Sequence, residues 1–103
     1  SYRQVRDPRE AVRDSDVIYT DVWISMGEEA VADQKKKSFA SYQVNDALLA
    51  AAPSHCLITH CLPAHPGEEI TEAVMASSRY VAFDEAENRL HAQKAVLLDL
   101  IRG

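Results

Sequence analysis

The chain has 103 residues, 47% of them hydrophobic and 26% charged, which is ordinary for one small globular domain. Its net charge of -5 argues against a general surface for nucleic acid or for an anionic membrane. No stretch approaches the roughly 18 apolar residues of a membrane span, and the polar start is unlike a signal peptide. The two cysteines, Cys56 and Cys61, come without a secretory signal, which favours a reduced, cytoplasmic compartment.

The first half of the sequence predicts helices on either side of one buried strand. Asp7, followed by Pro8, and later Asn45 are residues that typically begin helices. A short apolar run predicts a strand that ends at Asp21. The predicted elements are a helix from residue 8 to about 14, a strand over 17–20, a helix over 28–39 and a helix over 46–52.

The second half predicts two further strands and two further helices. Thr71 is the expected N-cap of the shorter helix. The last helix should carry an apolar stripe, because apolar residues recur along it at helical spacing. The predicted elements are a strand over 56–59, a helix over 72–76, a strand over 80–83 and a helix over 85–101 with Leu90, Ala95, Leu97, Leu98 and Ile101 as its apolar positions.

The alternation of strands and helices predicts the fold class. Such alternation is typical of an α/β protein with a parallel sheet covered by helices. We therefore expect a sheet of three to four strands flanked by helices, as part of a doubly wound, Rossmann-like domain. A sheet this small, opening on a helix, would leave one edge unprotected. The chain is thus expected to be part of a larger domain.

Polar residues stand directly after two of the predicted strands. Asp21 follows the first strand, and the second strand is followed by His60 and Cys61. In parallel α/β sheets the ligand crevice lies outside the carboxyl ends of the strands. A carboxylate, an imidazole and a thiol are therefore predicted to share one rim, with chemistry suited to binding an amine.

Three motifs in this order carry a resemblance to a known family. They are Asp-Val-Trp-Ile-Ser-Met-Gly at 21–27, His-Cys-Leu-Pro at 60–63 and Glu-Asn-Arg at 87–89, supported by Tyr-Gln-Val-Asn at 42–45. From about Asp7 onward, the chain resembles the carboxy-terminal part of the ornithine carbamoyltransferases. Residues 1–103 would then be part of an ornithine-binding domain, without the amino-terminal carbamoyl-phosphate domain.

The resemblance implies an enzyme that transfers the carbamoyl group of carbamoyl phosphate to the side-chain amine of L-ornithine, giving L-citrulline and phosphate in arginine metabolism. It implies no cofactor and no metal, and neither nucleic acid nor a membrane as a partner. The parent enzyme would be a cytoplasmic homotrimer or a multiple of trimers. This chain, which lacks the family's phosphate-binding segments, is expected to be inactive alone.

The resemblance also assigns the amino-acid end of ornithine to the first motif. Asp21 would contact the α-ammonium group, because a charge-assisted hydrogen bond both attracts and orients a cation. Ser25 and Met26 would belong to a loop that closes over the substrate, with Gly27 supplying a positive φ or flexibility. Trp23 is interpreted as a packing residue.

The other two motifs would hold the reacting groups. Cys61 would position and polarise the amine beside the carbamoyl group, either as a thiol or as a thiolate, with no covalent intermediate. Leu62 would accept a hydrogen bond from the carbamoyl NH2 with its backbone carbonyl, before a cis bond to Pro63. Arg89, at the start of the last helix, would bind carbamoyl phosphate, because a guanidinium suits phosphate oxygens. His60 has either a site role or a structural one.

Three alternatives remain open. A zinc-binding module would use the close histidines and cysteines at 55, 56, 60, 61 and 65, although Cys56 and Cys61 would face opposite sides of one strand. A non-catalytic α/β fragment or interaction domain is the second alternative. The third is a related carbamoyltransferase that uses another amine, such as an acylated ornithine or putrescine.

Overall fold

The computed structural model describes all 103 residues as a mixed α/β fold. It contains two strands, five α-helices and two short 3₁₀ helices. In chain order these are α1 (Pro8–Val12), β1 (Val17–Thr20), a 3₁₀ helix (Glu29–Val31), α2 (Ala32–Phe39), a 3₁₀ helix (Ala40–Tyr42), α3 (Asp46–Leu49), β2 (Leu57–His60), α4 (Glu72–Met75) and α5 (Ala82–Arg102). None of these helices is both long enough and apolar enough to cross a bilayer.

The three predicted helix caps are confirmed. Asp7 accepts a hydrogen bond from the Arg9 N–H, Asn45 accepts one from the Leu48 N–H, and Thr71 accepts one from the Val74 N–H. Each side chain satisfies a backbone donor that has no partner within its helix. Local sequence therefore fixes where α1, α3 and α4 begin.

The two strands are parallel and in register. Val17 pairs with Leu57, and at the other end Thr20 pairs with His60. A parallel pair requires a crossover connection, which here contains α2 and α3. Because the strands end level with each other, the residues that follow them, Asp21 and Cys61, emerge side by side.

The predicted third strand over 80–83 is wrong. Tyr80 forms a single parallel bridge to Ile58, whose N–H and C=O bond to Arg79 and Val81 at 2.8 Å each. The chain then becomes helical at Ala82. The next residues include acids that favour a helix N-terminus, so the helical signal prevails over the short apolar run. The sheet consequently has two strands instead of three to four.

All five predicted helices change their bounds. Three of them end earlier than predicted: α1 at Val12, α3 at Leu49 and α4 at Met75. The expected helix over 28–39 begins with a 3₁₀ turn, and α2 proper starts at Ala32. The last helix starts earlier than expected, at Ala82, and Ala82 is its one buried residue. The residues of its predicted apolar stripe are exposed in this chain; they are Leu90, Ala95, Leu97, Leu98 and Ile101.

The core lies between the sheet and the helices α1, α3 and α4. Its most deeply buried members come from β2 and the segment that follows it, where Ile58, Ile70 and Val74 have no exposed surface. The whole cluster consists of Val12, Ile18, Val44, Leu48, Leu49, Cys56, Ile58, Ile70 and Val74. Packing of β2 between these side chains holds the end of the strand, and hence His60 and Cys61, in a fixed position.

Candidate active site

The two strand ends bring Asp21 and Cys61 into direct contact. The Cys61 thiol donates a hydrogen bond to Asp21 Oδ1 with a distance of 2.8 Å, although the residues are 40 positions apart in sequence. Asp21 Oδ1 also accepts from the Val22 N–H at 2.6 Å. Both bonds end on the same oxygen, so Oδ2 is left for a ligand. The carboxylate and the thiol thus share the rim that the sequence predicted.

This contact sets the protonation of both groups. The hydrogen bond to Asp21, followed by desolvation, raises the pKa of the Cys61 thiol. The same bond, with that from the Val22 N–H, lowers the pKa of the Asp21 carboxyl. Both shifts favour a neutral thiol beside an ionised carboxylate at neutral pH. Of the two forms considered for Cys61, the geometry therefore favours the thiol.

A cavity of about 320 Å³ opens beside Asp21; Cys61 does not line it but is bonded to Asp21. Ligand pockets in proteins commonly measure about 300–1,000 Å³, so the space suits a small molecule. Four of the predicted site residues line it, namely Asp21, Ser25, Met26 and Leu62. The remaining lining residues are Val22, Ile24, Pro63 and His65. Below, this cavity is called the cleft.

The loop of Ser25, Met26 and Gly27 forms one wall of the cleft. Gly27 has φ of 89°, as the sequence suggested, and Met26 is 99% exposed. The loop is held by acids that follow it: the Ser25 N–H donates to Glu28 Oε2 at 3.1 Å and the Gly27 N–H to Glu29 Oε1 at 3.2 Å. Its backbone donors thus already engage carboxylates, which is the group that an amino acid would bring.

Trp23 packs against a helix instead of facing the cleft. Its ring lies 6.2 Å from that of Phe39, at the end of α2, with the planes tilted by 40°. Such a separation is usual for a favourable aromatic pair. Trp23 is also absent from the cleft lining, in agreement with its interpretation as a packing residue.

The second motif forms a corner at Leu62. The Leu62–Pro63 bond is cis, as the resemblance implied, and Leu62 has φ of 57°. The Leu62 N–H donates to His60 Nδ1 at 2.8 Å, and His60 Nε2 lies 2.7 Å from Glu69 Oε1. His60 is buried and does not line the cleft, but its Nδ1 also lies 3.9 Å from Cys61 Sγ, so it contacts the site from a buried position.

Sequence reasoning missed Glu69. It is fully buried, and the available signal was its place in the pair Glu68-Glu69, directly before the apolar Ile70. A charged residue beside an apolar one is common on half-buried segments, so nothing in the sequence distinguished Glu69 from Glu68. Only the packing of β2 against the segment around Ile70 places Glu69 against His60.

Two predicted site residues do not line the cleft: Cys61, which is bonded to the lining residue Asp21, and Arg89. Arg89 is the one that makes no recorded contact with the other predicted site residues. It lies about two turns into α5 instead of at its start, and it is exposed. One turn earlier, Glu85 accepts a hydrogen bond from Thr59 of β2. That bond fixes the first part of α5 against the sheet, with Arg89 beyond it. Its assignment to carbamoyl phosphate stays a prediction.

One group of side chains has the spacing to hold a divalent cation, and it differs from the set considered in the sequence. Ligand atoms of His65, Glu68 and Glu69 lie within 4.8 Å of one another. However, Glu68 pairs with Lys36 at 2.8 Å, and Glu69 Oε1 is occupied by His60. These bonds compete with a cation for the same oxygens.

The residues of the zinc hypothesis do not form one cluster, although His60 Nδ1 lies 3.9 Å from Cys61 Sγ. Cys56 is buried in the core, and His55 pairs with Asp16 on the surface at 2.8 Å. His60 faces Glu69, and Cys61 faces Asp21. The structure does not gather these side chains around a common centre.

Comparison with known proteins identifies the family. Residues 1–100 match the Asp/Orn binding domain of the aspartate/ornithine carbamoyltransferases. The chain belongs to this family. Ornithine carbamoyltransferase from Archaeoglobus fulgidus is 58% identical over 99 residues, which are 96% of this chain and 32% of that protein. The chain therefore spans about a third of the length of this relative.

Solved structures of family members have the same fold. The ornithine carbamoyltransferase from Pyrococcus furiosus matches with a TM-score of 0.83 and 56% identity, over 90% of this chain and 30% of that one. The anabolic ornithine carbamoyltransferase from Campylobacter jejuni matches with a TM-score of 0.83 and 38% identity, over 93% and 32% of the two chains. The predicted α/β class is confirmed, with two strands in this chain.

Proposed function

We propose that this chain is part of the ornithine-binding domain of an ornithine carbamoyltransferase. The parent enzyme would transfer the carbamoyl group of carbamoyl phosphate to the side-chain amine of L-ornithine, forming L-citrulline and phosphate. The observation that carries the proposal is the 2.8 Å contact between Cys61 and Asp21, a residue that lines the cleft, in a domain of this family. An ionised carboxylate and a neutral thiol suit a cationic amino acid.

The reaction needs a neutral amine. The ammonium first loses one proton to solvent and becomes the neutral amine. Its nitrogen then forms a bond to the carbamoyl carbon, the bond between that carbon and the phosphate oxygen breaks, and the departing phosphate takes a second proton from the nitrogen. In our proposal, Asp21 holds the α-ammonium through its free Oδ2, while Ser25 and Met26 hold the rest of the amino-acid group. The substrate carboxylate would replace the Glu28 and Glu29 side chains on the loop.

Cys61 and Leu62 would act at the reacting end. The thiol would orient the amine, and the Leu62 carbonyl would accept from the carbamoyl NH2. Alignment of the two reactants can account for a large part of a rate enhancement, because it replaces a bimolecular encounter. Arg89 would bind carbamoyl phosphate once the rest of the polypeptide brings that substrate to it. No step requires a cofactor.

The proposal extends to the parent enzyme. We infer that the intact protein works in arginine metabolism in the cytoplasm and forms homotrimers or multiples of them. Arg89 does not line the cleft, and the segments that the family resemblance assigns to carbamoyl phosphate are not among these 103 residues. We therefore expect the isolated chain to be inactive, and citrulline formation by it at the rate of a complete enzyme would contradict the proposal.

A citrulline assay on the parent polypeptide tests the proposal. Carbamoyl phosphate would be supplied with L-ornithine or, in parallel, with N-acetylornithine, N-succinylornithine, putrescine or aspartate. We expect L-ornithine to give the highest kcat/KM by at least a hundredfold. Higher kcat/KM with another amine would establish the related carbamoyltransferase instead. Failure with all five acceptors, in protein shown to be folded, would overturn the proposal.

A further inference from the structure

A short chain of hydrogen bonds connects the buried Glu69 to the cleft. Glu69 Oε1 lies 2.7 Å from His60 Nε2, and on the other side of the ring His60 Nδ1 accepts the Leu62 N–H at 2.8 Å. The side chains of Glu69 and His60 have no exposed surface. The carboxylate is therefore connected through one imidazole to the peptide group of Leu62, which lines the cleft.

These bonds determine the tautomer of His60. Because Nδ1 accepts a hydrogen bond, it carries a lone pair, and the ring proton must be on Nε2. There it is donated to Glu69, whose Oε1 lies 2.7 Å from that nitrogen. The opposite tautomer would direct a ring N–H at the Leu62 N–H and would remove the hydrogen bond between the ring and the Glu69 carboxylate. Glu69 thus selects the form of His60 that can hold Leu62.

The peptide held in this way has an unfavourable conformation. Leu62 has φ of 57°, in the left-handed region where the Cβ of a residue with a side chain lies too close to the following carbonyl oxygen. Such conformations persist where surrounding contacts fix them. The bond from the Leu62 N–H to His60 is one such contact. The Leu62 backbone conformation in turn determines the direction of its carbonyl and the position of Cys61 relative to it.

Glu69 itself is firmly anchored. Its Oε1 also accepts the His65 N–H at 2.7 Å, and its backbone carbonyl accepts the Val44 N–H at 2.8 Å. Its second oxygen, Oε2, is buried without a partner. Burying a carboxylate in this way is costly, and an apolar residue of similar size would often stabilise a core as well or better. The presence of a carboxylate here is therefore poorly explained by stability alone.

We propose that Glu69 is a positioning residue for carbamoyl transfer. Acting through His60, it holds the Leu62 corner so that the Leu62 carbonyl and the Cys61 thiol meet the reacting groups. This inference rests on the proposed function, since it assigns Glu69 to the same cleft. Glu69 itself touches neither substrate. Its loss should therefore lower kcat more than it weakens ornithine binding, because Asp21 holds the amino-acid end.

The first test is Glu69→Gln in the full-length parent enzyme. A glutamine has nearly the same shape, but its amide can donate to His60 Nε2 as well as accept, so it no longer selects the tautomer. We expect kcat to fall at least tenfold while KM for ornithine changes less than threefold. The control is Glu72→Gln, the same change at an exposed residue of α4, which should leave both parameters within twofold.

A double-mutant cycle tests whether Glu69 acts through His60. In His60→Asn, the amide oxygen can still accept the Leu62 N–H, but the side chain is too short to reach Glu69. In that background we expect Glu69→Gln to change kcat less than threefold, because the connection is already broken. The proposal would be overturned if Glu69→Gln lowered kcat equally in the wild-type and the His60→Asn backgrounds. It would also be overturned if Glu69→Gln alone left kcat within twofold of wild type.

The tautomer can be measured without reference to activity. In the wild-type parent enzyme labelled with ¹⁵N-histidine, the ring shifts of His60 should report a proton on Nε2 and a lone pair on Nδ1. Any other state in the folded wild-type protein at pH 7.5 would overturn the proposal, even if Glu69→Gln fails to fold. If the tautomer is present but no acceptor is carbamoylated, the hydrogen-bond relay stands and only the proposed function fails.

Discussion

Replacing Asp21 by asparagine tests the contact on which the proposed function depends. Asp21 Oδ1 is occupied by the Cys61 thiol at 2.8 Å and by the Val22 N–H at 2.6 Å, and in the proposed function Oδ2 binds the substrate ammonium. Asparagine can keep both bonds to Oδ1, but it places an NH2 group where Oδ2 was. The fold at the rim should therefore survive, while the substrate loses its charged acceptor.

The magnitude follows from the bond that is lost. Hydrogen bonds to charged groups contribute about 1.5–3 kcal/mol, and each 1.4 kcal/mol is a factor of ten. We therefore expect Asp21→Asn to lower kcat/KM for L-ornithine by about 10- to 150-fold in the parent enzyme. KM for carbamoyl phosphate should change much less, because that substrate is assigned to other residues.

The assay is citrulline formation at saturating carbamoyl phosphate with ornithine varied. The matched control is Asp16→Asn, since Asp16 is 88% exposed in its side chain and pairs only with His55 on the surface. The control should stay within twofold of wild type. A loss of less than threefold for Asp21→Asn, in protein that melts at the wild-type temperature, would refute the assignment of Asp21 to the substrate.

Three further predictions concern the thiol and the core. Cys61→Ser should lower kcat of the parent enzyme at least tenfold. Cys56→Ser should lower only the melting temperature, because Cys56 is buried in the core. Equal losses of kcat would contradict the assignment of Cys61 to the reacting groups. The rate of Cys61 alkylation by iodoacetamide should increase at higher pH than for a free thiol, because the hydrogen bond to Asp21 raises the pKa of the Cys61 thiol. Asp21→Asn should move this pH dependence of the rate to lower pH. An unchanged pH dependence would contradict the contact. Ile58→Ala should lower the free energy of unfolding, measured by urea denaturation, by about 2–5 kcal/mol, since Ile58 is fully buried. The control Leu57→Ala, on the exposed side of β2, should lower it by less than half as much. Similar losses for the two variants would show that the sheet packs differently.

Local sequence was sufficient to predict the features that depend on neighbouring residues. The caps Asp7, Asn45 and Thr71 were predicted because each satisfies donors two or three residues away. The parallel pairing of β1 and β2 followed from the alternation of strands and helices. The positive φ of Gly27 followed from the residue type itself.

The prediction of a third strand was wrong because strand formation depends on residues that are distant in sequence. A run of four residues that includes Tyr80 and Phe83 suits a strand by composition, but a strand also needs a partner along its length. Only Tyr80 finds one, at Ile58, and the acids after Phe83 favour a helix N-terminus. Short apolar runs are ambiguous between strand and helix for this reason.

What the sequence by itself determined is which chemical groups stand at the strand ends: a carboxylate at Asp21, a thiol at Cys61 and the backbone corner at Leu62. Their order along the chain also carried the family resemblance. What only the tertiary structure decided is which of these groups touch, because contacts between residues 40 positions apart depend on strand register and core packing. The pairing of Thr20 with His60 joined Asp21 to Cys61, and burial of the segment around Ile70 placed Glu69 against His60.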